Sequence, residues 1–226
     1  MQDSAALRLF DNEGDMPRAG KRFLIPGPAG AIEALLGDAQ DYAVDAPIVV
    51  VCHPHPLYGG TLDNKVAYTL AKAVNELGGI SLRFNFRGVG HSEGSFDRGL
   101  GETEDLLAVC DWFQQRYPGA PLWLAGFSFG AMVALQGQAR LRPERLILVA
   151  PAVTREEFPR DIAITTPCTV VQGGQDEVIE PQQVADWVER QSHPVDFRWL
   201  DEAGHFFHGH LIELKAVIHR ACGTAL

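Results

Sequence analysis

A chain of 226 residues, 46% hydrophobic and 21% charged, can bury one sizeable core and is short for two domains. A formal net charge of −10 with no run of Lys or Arg argues against a phosphate-binding face for nucleic acid. No stretch approaches the roughly 20 apolar residues that span a bilayer, and the start, MQDSAALRLFDNEGDMPRAG, lacks the basic-then-apolar order of a signal peptide.

The first nineteen residues read as a flexible or additional N-terminal segment to a single domain. Lys21 to Ile25 and Ala31 to Leu36 flank PGPAG and predict a β-hairpin around a Gly/Pro turn. PIVVVCH (47–53) is a continuous apolar run. A helix follows over about 64–77, with Val66, Leu70, Ala73, Val74 and Leu77 on one face. Asp63 is the expected N-cap, and Gly78-Gly79 ends the helix. ISLRFNF (80–86) is a strand. After a glycine-rich loop, a helix is expected over about 102–116, with Glu102, Glu104 and Asp105 in the positive first turn.

PLWLAGF (121–127) is a strand and GAMVALQGQAR (130–140) a helix. RLILVAP (145–151) and CTVVQGG (168–174) are strands. The next helix, 181–191, starts at Pro181, which suits its first position. VDFRWLDE (195–202) is a strand, and about 206–221 the last helix. Apolar strands alternating with helices predict an α/β fold. About eight strands form a mostly parallel sheet with helices on both faces, and the hairpin adds an antiparallel edge. Ligands in such sheets bind beyond the carboxyl ends of the strands. Cys52, Cys110, Cys168 and Cys222 are widely spaced without a C-x-x-C pair, which fits reduced, packed thiols in a cytoplasmic protein.

Gly-x-Ser-x-Gly occurs twice, as Gly90-His91-Ser92-Glu93-Gly94 and Gly126-Phe127-Ser128-Phe129-Gly130. A nucleophile elbow needs a strand running into the serine, a helix starting after it, and small residues two before and two after. Ser128 meets all three conditions. Ser92 does not, because its strand ends several residues earlier and EGSFDRGLGE holds three glycines. Ser92 is therefore expected to bond backbone within a turn. RGVGHSEG also lacks the following helix that a dinucleotide-binding glycine loop requires.

A serine nucleophile needs a base and a group that orients the base. In this type of fold the chain order is Ser, acid, His. Asp176 follows one strand and His205 another, on the rim that carries Ser128. Glu177, Asp201 and Glu202 compete as the acid, and His208 and His210 as the base. HFFHGH has the look of a metal cluster, but a helix starting near Phe206 would point its histidines apart. The oxyanion donors are expected to be the N–H of Phe129 and one from the loop 53–60. Pro54 and Pro56 have no N–H, which leaves His55, preferred by position, or Leu57. The His53 and His55 side chains are expected to brace that loop. A histidine base must be neutral, so turnover should fall with falling pH.

HPHPLYGG, GFSFG, GGQDEV and AGHFF together resemble the α/β-hydrolase superfamily, and within it the small bacterial HPHP group of predicted serine esterases. The resemblance runs from about Lys21 to the last helix. It implies Ser128 as nucleophile, Asp176 as acid, His205 as base, and Phe129 with His55 as oxyanion donors. The loop departs from the usual His-Gly by reading His53-Pro54. Many relatives carry a lid after the strand RLILVAP; AVTREEFPRDIAITTP is too short for a cap domain.

The expected activity is hydrolysis of small or short-chain acyl esters through an acyl-enzyme, with no cofactor and no metal. A thioesterase or peptidase with the same triad, or a non-catalytic binding protein, are the alternatives. The expected partner is a small-molecule ester, not nucleic acid or membrane, and the chain is read as a monomer or homodimer.

Overall fold

Eight strands form one sheet in the order β1-β2-β4-β3-β5-β6-β7-β8. The computed structural model describes residues 7–10, 16–37, 46–156 and 162–223. β1 (Arg22–Gly27) and β2 (Gly30–Leu36) make the hairpin, and β2 joins β4 (Ile80–Phe84) antiparallel. β3 (Ile48–Cys52), β5 (Leu122–Phe127), β6 (Arg145–Val149), β7 (Cys168–Gly173) and β8 (Val195–Leu200) complete the parallel part.

The unbroken apolar runs follow from burial on both faces. Ile48, Val50 and Cys52 point into one core, and Val49 and Val51 into the other. Helices α2 (Leu100–Arg116), α3 (Phe129–Leu141) and α4 (Pro181–Glu189) supply the first core, and α1 (Lys65–Glu76) and α5 (Leu211–Cys222) the second. All four cysteines are buried free thiols, pushed towards the protonated form by burial.

Two local expectations are corrected, the cap of α1 and the start of α5. The N-cap of α1 is Asn64, whose Oδ1 accepts the N–H groups of Val66 (2.9 Å) and Ala67 (3.2 Å); Asp63 instead pairs with Arg22. α5 starts at Leu211, because the chain turns at Phe207, where φ is +51°, and at Gly209. Part of the N-terminal segment is docked: Arg8 to Phe10 run beside β1, with Phe10 N–H on Leu24 O at 2.8 Å and Trp112 Nε1 on Phe10 O at 2.7 Å. Residues 1–6 and 11–15 of that segment lie outside the described residues.

Candidate active site

β5 delivers the chain to Ser128, and α3 starts at the next residue. Between them the Ser128 backbone is strained, with φ 55° and ψ −116°. Ser128 N–H on Val149 O at 2.9 Å and Ala131 N–H on Ser128 O at 3.1 Å hold the turn. A Cβ on Gly126 would run into the Gly130 carbonyl, and one on Gly130 into the carbonyls of Cys52 and His53. Both glycines therefore let α3 close onto β5 and the end of β3.

Ser128 Oγ lies 3.1 Å from His205 Nε2, and His205 Nδ1 lies 2.8 Å from Asp176 Oδ2. All three residues are buried. Burial alone would raise the Asp176 pKa. The His205 hydrogen bond and charge, with the N–H groups of Ile179 (2.7 Å) and Val178 (2.9 Å) on Oδ1, hold it below the ordinary 3.8 instead. An ionised carboxylate only accepts, so Nδ1 carries the proton and Nε2 presents its lone pair to the serine hydroxyl. Phe127 lies against the imidazole at 4.9 Å between ring centres.

The rival acids do other work. Glu177 Oε2 accepts the His205 backbone N–H at 3.1 Å, fixing the loop beneath the ring. Asp201 and Glu202 are exposed, and Glu202 takes Gln175 Nε2 at 3.3 Å. Of the rival bases, His208 stacks on Phe206 and His210 pairs with Glu213 at 3.2 Å. No group of three His, Cys, Asp or Glu converges among the described residues as a metal site requires.

The loop after β3 is locked by its own hydrogen bonds. Leu57 N–H donates to His55 Nδ1 at 3.2 Å, Tyr58 and Gly60 N–H to His55 O at 3.1 Å each, and Gly59 N–H to Pro56 O at 3.2 Å. Leu57 is thereby committed inside the loop. His53 braces it from below: Nδ1 donates to Pro54 O at 2.6 Å, and Nε2 accepts Phe86 N–H at 3.1 Å. Full burial pushes the His53 pKa down to about 4, so the ring stays neutral. The His55 ring packs against Tyr58, Phe96 and Phe129. The Phe129 N–H, first in α3, donates to no described acceptor, as is usual at a helix start.

Ser128, His205, His55 and Phe129 border a cleft of about 290 Å³, walled also by Tyr58, Met132, Ala152, Arg155, Val178 and Phe206. Among its described lining residues there is no carboxylate. Val178 and Phe206 lie inside GGQDEV and AGHFF without being singled out there, and Arg155 lies in no motif; each follows a strand end by several residues.

Ser92 lies elsewhere. It is 6% exposed, donates to Asn85 O at 2.7 Å and accepts Glu33 N–H at 2.9 Å.

A family model described as serine aminopeptidase, S33, matches residues 46–163. The uncharacterized protein RP471 of Rickettsia prowazekii is 41% identical over 194 residues, which are 80% of this chain and 79% of that protein. Lysophosphatidylserine lipase ABHD12 of Danio rerio is 35% identical over 142 residues, 58% of this chain and 36% of that longer protein. The crystal structure of XC6422 from Xanthomonas campestris, described as an α/β serine hydrolase without lid, aligns with a TM-score of 0.88 at 39% identity, covering 93% of this chain and 97% of that one. With a strained serine between β5 and α3, and only residues 150–167 between β6 and β7 where a lid would sit, the chain belongs to the α/β-hydrolase superfamily, in its lidless group of serine hydrolases.

Proposed function

We propose that the protein is a carboxylic-ester hydrolase that forms an acyl-enzyme on Ser128 and acts on small or short-chain acyl esters. The observation that carries this reading is the unbroken hydrogen-bond chain from Ser128 Oγ through His205 to Asp176, opening at its serine end into the cleft. His205 Nε2 takes the hydroxyl proton as Oγ attacks the ester carbonyl. Asp176 stabilises the imidazolium that results. The oxyanion points to the N–H groups of Phe129 and His55, held in advance by the helix start and the proline-stiffened loop. His205 then passes its proton to the leaving alcohol. Water attacks the acyl-enzyme by the same route and frees Ser128.

Two features favour a small ester. The cleft is small and mostly apolar, and among the described residues no lid covers it. An aminopeptidase would need a carboxylate to receive the substrate ammonium, and none lies among the described lining residues. The zebrafish relative, a lysophosphatidylserine lipase, is a precedent for ester cleavage.

The test uses p-nitrophenyl acetate, butyrate and palmitate with the wild type and Ser128→Ala, alongside labelling by an alkyl fluorophosphonate. The expected result is turnover fastest at the short acyl chains, labelling at Ser128, and a loss of about 10⁶-fold in the variant. An active Ser128→Ala overturns the nucleophile. Preference for palmitate with activation at a lipid interface overturns the substrate class. Faster cleavage of an amide or thioester with the same acyl group reassigns the leaving group.

A further inference from the structure

Gln172 is fully buried near the end of β7, where the strand is apolar on both sides. Its Nε2 donates to Asp176 Oδ2 at 3.0 Å and to Gly173 O at 3.1 Å. Its Oε1 is shut away from solvent, and no described donor reaches it. The amide has one workable orientation. Turned over, it would set Oε1 against a carboxylate oxygen and a carbonyl while Nε2 lost both acceptors. An amide buried with an orphaned carbonyl destabilises the fold, and an apolar side chain of like volume would not. A residue that breaks the packing rule beside reacting groups calls for a role in the site.

That role is legible in how the carboxylate is shared. Asp176 Oδ1 is filled by the Val178 and Ile179 N–H groups, and Oδ2 receives His205 Nδ1 and Gln172 Nε2. Gln172 is thus the described donor that shares with the base the oxygen facing it. We infer that Gln172 is a positioning residue, whose amide pins Asp176 Oδ2 in line with His205 Nδ1 and thereby keeps Nε2 aimed at Ser128. The inference rests on the triad reading above. Without the amide, Oδ2 can swing. It also keeps more negative charge, which strengthens its pull on a protonated imidazole. Among the described residues, Ser128, the Phe127 and Phe206 rings, and Glu177 through the His205 N–H also face the Asp176–His205 pair.

The experiment compares wild type, Gln172→Met and Gln172→Glu. The readouts are thermal midpoint, kcat and KM for a short p-nitrophenyl ester from pH 5 to 9, and the rate of Ser128 labelling by a fluorophosphonate. Gln172→Met is expected to melt at or above the wild-type temperature. It should lose about tenfold or more in kcat, the worth of one hydrogen bond to a charged group, with KM little changed. Its acid limb should move to higher pH, whereas Gln172→Glu, held protonated by burial beside Asp176 and still able to donate to Oδ2, should move it less. Full kcat with an unmoved acid limb in Gln172→Met overturns the inference. So does a parallel fall of stability and activity, which marks a packing role. If Ser128→Ala keeps the wild-type rate, or the fluorophosphonate leaves Ser128 unlabelled, the triad reading fails, and the role of Gln172 fails with it.

Discussion

The two Gly-x-Ser-x-Gly stretches predict opposite outcomes for the same substitution. In Ser92→Ala the lost hydroxyl bridges two buried backbone groups, Asn85 O and Glu33 N–H. These face each other at the end of the β2–β4 ladder, where Asn85 N–H still reaches Glu33 O directly at 2.8 Å. Each orphaned buried group costs ~1–3 kcal/mol. Part of that returns if Glu33 N–H closes directly onto Asn85 O, as an ordinary antiparallel pair would. A net loss of about 2–4 kcal/mol is expected, which lowers the thermal midpoint of a chain this long by about 5–15 °C. Turnover per folded molecule should be unchanged. Ser128→Ala should behave in reverse. Its hydroxyl has His205 as its described partner, and alanine relieves none of the strain at φ 55°. Stability should change by less than ~1 kcal/mol, while turnover collapses. The assay is calorimetry on both variants with ester hydrolysis at 20 °C below the lower midpoint. Loss of turnover in a Ser92→Ala protein that is still folded, or an unaltered midpoint, would refute this account of the first motif.

His53 makes stability depend on pH. Its folded pKa, about 4, lies below the ordinary 6.5, so as pH falls the unfolded chain takes up the proton first. The full contribution is present above about pH 6.5 and is lost progressively towards pH 4, up to about 3 kcal/mol. NMR of the imidazole ring carbons should find His53 unchanged from pH 8 to 5; a His53 midpoint near 6.5 contradicts the burial argument. Gly130→Ala drives a methyl into the Cys52 and His53 carbonyls. It should cost about 1–3 kcal/mol of stability and cut turnover further by displacing the loop that carries His55. Retention of both the midpoint and turnover would mean that α3 does not need this close approach.

Much of the architecture was readable because its signals are strong. Apolar runs such as IVVVC and RLILV can be buried only on both faces, and glycines and prolines mark their ends. Ser128, Asp176 and His205 each follow a strand, so chain order alone brought them to one rim. What escaped was decided by tertiary partners. Asp63 and Asn64 are equally good caps in isolation; Arg22, far away in sequence, draws Asp63 off and leaves the cap to Asn64. The start of α5 was misplaced because HFFHGH is apolar enough to look helical, although Gly209 was a visible warning. Gln172 reads as one polar interruption of a strand, and only its neighbour across the turn gives it a purpose. The docking of Phe10 depends on a Trp112 indole that sequence separation hides.

The duplicated motif has a physical explanation that also bears on the site. Gly126 and Gly130 are needed for space, since backbone atoms occupy the place of a Cβ at both. Gly90 and Gly94 are needed for conformation, with φ of 59° and 87°, in a loop that curls over the end of β4. There Glu33, fully buried, gathers Arg22 Nη1 (2.6 Å), Asn85 Nδ2 (2.7 Å) and the His91 N–H (2.8 Å). Burial alone would raise the Glu33 pKa, yet the Arg22, His91 and Asn85 hydrogen bonds together hold it below the ordinary 4.5, so the loop is fastened to a charged anchor at neutral pH. Beyond Gly94 the same loop presents Phe96 to the rings of His55 and Phe129. The Ser92 stretch therefore leads into a residue that packs against two residues lining the cleft. Phe96 packs against the two residues whose N–H groups are proposed to bind the oxyanion, so a change at Phe96 should reach catalysis where Ser92→Ala does not.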